Sequence, residues 1–202
     1  MSMKENVLQT ATEMFLTLGF KSVTMDDIAK KIGISKKTIY THFPNKNKLV
    51  EATTFNLFDT ICEGIDKIID EQHNPIEEVF RIKRFIIQKV KDERSPSIYQ
   101  LKKYYTQVHN ALMQKQFEMM QTCVADNINK GIAEGYFRED LDVDLMTRIY
   151  FVGISGIKDG DTFPTEQFDM NYLFENYIEY HIRGIATKKG IEILEQTKQQ
   201  QK

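Results

Sequence analysis

The chain has 202 residues, of which 41% are hydrophobic and 28% charged, with four Pro and ten Gly. This composition excludes a disordered or collagen-like chain, and the length is enough for one or two globular domains to bury a core without covalent staples. The formal charge of -2 gives no hint of a polyanionic partner, but its distribution does: residues 1–50 hold eight lysines against four acids, a net +4 that leaves −6 on the remainder. A basic head on an acidic body orients a molecule toward a polyanion.

Cys62 and Cys123 sit inside apolar helical patterns and read as buried thiols in a reduced protein, not as a disulfide framework. No basic-apolar-small leader pattern opens the chain. No apolar run approaches the ~20 residues of a membrane span. The expected location is cytoplasmic, with no membrane partner.

In chain order, Val7, Leu8, Ala11, Phe15 and Leu18 define one face of a first helix over Lys4–Leu18. Thr24 caps a second, with Asp27 completing a capping box and Ile28, Ala29 and Ile32 facing inward. Gly33-Ile34 is a turn. Ser35 caps a third helix whose inward residues are Ile39 and Phe43, and Pro44 ends it. Asn45 caps a long fourth helix that carries Leu49, Ala52, Phe55, Phe58, Cys62, Ile65 and Ile69 to about Gln72. Asn74-Pro75 starts another helix, and Ser95-Pro96 a short one ending near Tyr104 or Tyr105. A long helix then runs to Glu134. Asp142 or Asp144 opens a helix with Leu145, Ile149, Val152 and Gly156 in register. Lys158 to Thr165 reads as a loop, and about Thr165 to Ile185 as a helix. The tail from Lys188 leaves room for one more. No period-2 pattern marks a strand, so the expected class is all-α.

Two short helices joined by a Gly turn and backed by an earlier helix make a helix-turn-helix unit. The second of the pair can enter the major groove, its first residues toward base edges. Those are Lys36, Lys37 and Thr38. Lys can donate to guanine, and Thr can hydrogen bond or touch a thymine methyl. Tyr40 and His42 lie further along the polar side and suit phosphate oxygens. At the start of the fourth helix, Lys46 and the helix N-terminus can address one phosphate together. Each of these residues alone could be a solvated surface group, and Thr24 and Ser35 are caps whether or not DNA is present. Their joint register is what carries the reading.

With these residues in place, the segment Thr24–Leu49, TMDDIAKKIGISKKTIYTHFPNKNKL, resembles the TetR family of bacterial transcriptional regulators. The likeness extends from about Val7. The resemblance implies a head over 1–47 and a helical body over 48–202, joined by the long fourth helix. It also implies a two-fold dimer, usually a repressor released from a palindromic double-stranded operator by a small molecule. By position, Lys36, Lys37 and Thr38 become base-contact candidates, and Thr24, Ser35, Tyr40, His42 and Lys46 phosphate-contact candidates. One position departs from the pattern: where many members carry a basic residue near the start of the second helix, this chain has Asp26.

For the body, the resemblance implies dimerisation through the last two long helices, here Asp144–Ile157 and Thr165–Ile185. Gly153 and Gly156 would allow close approach, and Tyr172, Tyr177, Ile178 and Ile182 would supply apolar area. A pocket for a largely apolar or aromatic effector would draw on Phe58, Phe85, Tyr104, Tyr105, His109, Met113, Phe117 and Met120, since Met and aromatic side chains adapt to such ligands. Such stripes also serve as plain core.

Two other classes compete with this reading. Gly153-Ile154-Ser155-Gly156 nearly imitates a nucleophile elbow, but its spacing is wrong and no strand precedes it. With no phosphate loop and four scattered histidines, neither an enzyme, a metal site nor a bound cofactor is expected. A protein-binding helical module without DNA binding is the alternative, and the basic head argues against it.

Overall fold

The computed structural model describes residues 2–90 and 96–199. They form ten helices in the order α1 (Met3–Leu18), α2 (Met25–Ile32), α3 (Lys36–His42), α4 (Lys46–Asp70), α5 (Pro75–Val90), α6 (Pro96–Tyr104), α7 (Thr106–Ala133), α8 (Val143–Gly156), α9 (Met170–Ile185) and α10 (Lys188–Gln199). Among the described residues β pairing is limited to one isolated bridge between Phe137 and Ala186. The chain is all-α. Ser95, expected to help start α6, lies outside the described residues, as does the tail beyond Gln199.

The chain divides into two compact units. The first comprises the described parts of Met1–Cys62 and Glu93–Gln114. Its core is built on i, i+4 spacing: Val7, Ala11 and Phe15 of α1 meet Ile28 and Ala29 of α2, Ile39 of α3, and Leu49 and Val50 of α4. Burying each of the Val, Leu, Ile and Phe side chains contributes about 1.5–3 kcal/mol. This unit is larger than residues 1–47, because α6 packs into it. Leu101 is 1% exposed in the same core, and the Ser97 hydroxyl lies 2.9 Å from the Phe15 carbonyl and 3.1 Å from that of Leu16. Those carbonyls belong to the last turn of α1, where that of Phe15 also accepts from the Gly19 amide at 3.0 Å.

The second unit comprises the described parts of Glu63–Asp92 and Lys115–Lys202. Ile76, Phe80, Ile128, Phe137, Ile178, Ile182, Ile185 and Leu194 form one cluster, and Ile154, Ile157, Met170, Leu173 and Phe174 another. Buried polar groups here are paired. The Glu78 carboxylate accepts from Asn127 at 2.7 Å and from Lys130 at 3.2 Å, and Lys83, its side chain 3% exposed, donates to Glu175 at 2.6 Å. Removing one partner of such a pair leaves an uncompensated charge, which costs far more than the pair itself contributes.

Two helix starts are settled by their caps. Asp142, not Asp144, caps α8, accepting from the Leu145 amide at 3.0 Å. Helix α9 begins at Met170 and not near Thr165. Pro164 accepts from the amides of Gln167 and Phe168 in a turn, and Asp169 then caps the helix through the Tyr172 amide.

Candidate nucleic-acid interface

The helix-turn-helix is assembled by its caps. The Asp27 amide donates to the Thr24 hydroxyl at 3.2 Å, and the Thr24 amide and hydroxyl donate back to the Asp27 carboxylate at 2.9 and 2.7 Å. These bonds from Thr24 hold the Asp27 carboxyl below its ordinary range. Gly33 ends α2 at φ 79°, ψ 31°, a left-handed conformation that strains any side chain with a Cβ. Its amide reaches the Ala29 and Lys30 carbonyls. Ser35 then caps α3, accepting from the Thr38 amide at 3.1 Å.

Helix α3 buries Ile39 completely and leaves Lys36, Lys37, Tyr40, Thr41 and His42 exposed. It bears no acidic residue. Lys37 has no hydrogen-bond or ion-pair partner within the described residues. Thr38 is half-buried, and its hydroxyl lies 2.8 Å from that of Ser35, so part of its hydrogen-bonding capacity is already used. Lys46 is also occupied: its ammonium donates to the Lys21 carbonyl at 3.3 Å, and partial burial pulls its pKa down.

The position that departs from the family pattern has a partner that the sequence does not disclose. Asp26 at the start of α2 pairs with Lys36 at 2.9 Å, and that bond holds the Lys36 ammonium above its ordinary pKa. Both side chains are about half exposed (49% and 50%), so water and salt weaken the pair.

A model of the family described as "Bacterial regulatory proteins, tetR family" matches residues 7–53, the stretch that holds this geometry. Over residues 7–53 the chain matches the TetR family of bacterial regulatory proteins. It is thus a DNA-binding transcriptional regulator. It is 27% identical over 197 residues to the HTH-type transcriptional repressor KstR2 of Mycobacterium tuberculosis, covering 94% of this chain and 96% of that one. It is 22% identical over 180 residues to the nucleoid occlusion factor SlmA of Vibrio campbellii, covering 88% of this chain and 91% of that one. In fold it is similar to the regulatory protein TetR from Rhodobacter sphaeroides, with a TM-score of 0.68, 15% identity, and coverage of 90% and 98% of the two chains.

The residues expected to line an effector pocket are placed as follows. Phe58, Tyr104, Tyr105, His109 and Met113 belong to the first unit, and Phe85, Phe117 and Met120 to the second. Tyr105 packs against the core of the first unit, its ring 6.1 Å from Phe20. Tyr104 is 45% exposed on α6. Phe85 packs on Gly64. Phe117 meets Phe151 edge-on at 5.0 Å, and Met120 packs against the cluster that holds Ile154 and Phe174. Phe58, His109 and Met113 are half-buried.

The dimer candidates require correction. Ile178 is 1% and Ile182 2% exposed, so both are spent on the core of their own unit. Tyr177 turns inward as well. Its hydroxyl lies 3.0 Å from the Ile149 carbonyl and 3.2 Å from that of Tyr150, and burial pushes its pKa up to about 12. Gly153 serves this internal contact: a Cβ there would stand 2.1 Å from the Tyr177 ring. Gly153→Val is expected to destabilise the protein by roughly 1–3 kcal/mol through forced repacking, read as a lower midpoint in urea unfolding. An unchanged midpoint would show that Tyr177 can move away freely.

The outward face is a different set: Leu145, Ile149, Val152 and Gly156 on α8, with Tyr172 and Tyr180 on α9. The four α8 positions follow one helical stripe that the sequence shows. Its period does not tell an inward stripe from an outward one. Beside it, Met146, Ile149, Tyr180, His181, Arg183, Gly184 and Ile185 line a surface depression of about 390 Å³.

His181 faces the Tyr150 ring at 4.9 Å and the Tyr177 ring at 6.3 Å, and burial holds its pKa down at about 4. The folded state thus binds fewer protons than the unfolded chain between pH ~4 and the ordinary His value of ~6.5. This contribution to stability is complete above ~6.5 and is lost as pH falls toward ~4, by up to roughly 3 kcal/mol. Urea unfolding of wild type and His181→Gln at three pH values checks it. The variant should lose less stability on acidification, and identical losses would acquit His181.

Proposed function

We propose that this regulator is a dimeric repressor that binds a palindromic operator and releases it when a small, largely apolar or aromatic effector binds. The observation that carries the DNA reading is the α3 surface: an exposed, acid-free helix presenting Lys36, Lys37, Tyr40 and His42 from a capped helix-turn-helix. In this reading residues 1–47 are the DNA-reading head. Lys36, Lys37 and Thr38 approach base edges, and Thr24, Ser35, Tyr40, His42 and Lys46 the phosphates. The exposed apolar stripe on α8 and α9 supports self-association, and a two-fold dimer matches two half-sites about one helical turn apart.

The effector is the part of this reading that the resemblance to ligand-released repressors supplies. Such a ligand acts only through differential affinity for two states of the protein. Helix α4 is the covalent route, since its residues belong to both units.

Selection of duplexes from a random-sequence pool, followed by binding across salt concentrations, tests the DNA reading. The expected result is enrichment of an inverted repeat whose binding weakens steeply with salt through counterion release. A protein that enriches nothing and shifts no duplex sinks the proposal, and the protein-binding module then takes its place.

A further inference from the structure

We propose that α6, together with the turn between α1 and α2, forms a second DNA-backbone surface that extends the footprint of the helix-turn-helix onto flanking phosphates. The proposal rests on the DNA-binding reading above. Residues 96–117 contain no acidic side chain, an unusual run in a chain that is 28% charged. Within the first unit, this run meets the basic head. The Lys21 amide donates to the Gln100 side chain at 2.7 Å, and the Lys21 ammonium lies 4.8 Å from the centre of the Tyr104 ring. The Lys103 ammonium sits 5.6 Å from the same ring and 5.4 Å from that of Tyr99. Tyr99 is 60% and Tyr104 45% exposed, too open for core residues.

No carboxylate pairs with Lys21, Lys102 or Lys103 among the described residues. Two ammonium groups interleaved with two exposed phenols, with the exposed Lys102 next to Lys103 on α6, offer charge and hydroxyl donors at once, the combination that phosphate oxygens accept. The surface is also continuous with an expected phosphate contact, because Lys46 at the start of α4 donates to the Lys21 carbonyl. The path from Lys46 through Lys21 and Tyr104 to Lys103 and Tyr99 is unbroken and positive, which favours DNA over another polyanion.

The test uses the full chain and duplexes selected by the wild-type protein, made as the minimal site and with about one helical turn, ~10 base pairs, added at each end. The variants are Lys21→Gln/Lys102→Gln/Lys103→Gln and the matching triple Arg variant. On the extended duplex the Gln variant should bind about tenfold or more weakly, and its slope of log affinity against log salt should fall by ~0.9 for each phosphate that is no longer neutralised. On the minimal site it should match wild type, and the Arg variant should match wild type on both. Should the triple Gln variant melt early, Lys103→Gln alone is used, its side chain touching only exposed tyrosines.

Equal affinity on the extended duplex, or an equal loss on both lengths, overturns the proposal. So does loss of binding to anionic phospholipid vesicles with DNA binding intact, which would assign the surface to a membrane. Wild-type protein that binds no duplex overturns this inference and the DNA reading together, whereas wild-type binding beside an unaffected Gln variant overturns this inference alone.

Discussion

Val152→Glu is expected to turn the proposed dimer into monomers and to weaken binding to any palindromic duplex by roughly 100-fold or more. Val152 is 68% exposed on α8, so a carboxylate there is solvated in the separate chain and leaves the fold intact. Its neighbours on the same face are apolar: Ile149 is 47% and Leu145 48% exposed, with Tyr172 and Tyr180 at 58% and 75% on α9. A second copy covering this face would desolvate both valines, each contributing about 1.5 kcal/mol or more. Replacing both forfeits about 3 kcal/mol, which is ~100-fold in the dimer constant, before the cost of burying two carboxylates is added. Operator affinity follows, because a monomer reaches only one half-site. Sedimentation of the variant checks the first claim and duplex binding the second. A variant that remains dimeric would place the interface elsewhere.

The head is legible in the sequence because its signals are local. A capping residue, a Gly turn and an i, i+4 apolar face each act within a few positions, and Thr24, Gly33, Ser35 and Ile39 all take the roles that their chemistry dictates. The body is less legible for a physical reason. On α8 and α9 both faces carry apolar residues, one packed inside the subunit and one left open, and a helical period reports that a stripe exists without saying which way it points. Ile178 and Ile182 therefore read as interface residues when they are core, while Leu145, Ile149 and Val152 read only as a stripe. The same ambiguity holds for the aromatic and Met stripes: Tyr105 and Met120 each pack against the core of their own unit. Contacts between residues far apart in sequence leave no local trace either. Lys36 meets Asp26 across the turn, and Ser97 reaches the last turn of α1 from more than eighty residues away, so neither link can be read from spacing.

The Asp26–Lys36 contact separates two lysines that the sequence treats alike. Lys37 is exposed and, among the described residues, without a partner, so it can meet a base edge at no cost beyond its own ordering. Lys36 must first release Asp26, or carry that carboxylate toward the DNA. Lys37→Ala should therefore cost about 1–3 kcal/mol per half-site, with relaxed preference at the base it reads. In a dimer the loss applies at both half-sites. Lys36→Ala should cost less, because it also removes the restraint. Asp26→Ala should strengthen binding by several-fold, since it frees Lys36 and removes a negative charge beside the helix proposed to meet DNA. In the double variant Asp26→Ala/Lys36→Ala the gain should shrink, leaving only the effect of the removed charge. Duplex binding of the four proteins measures this coupling directly. Equal losses for Lys36→Ala and Lys37→Ala, with no gain for Asp26→Ala, would mean that the ion pair is broken whenever DNA is bound and has no part in selecting it. A loss for Lys37→Ala that is uniform across all sequences would make that residue a phosphate contact and shift base readout to its neighbours on α3.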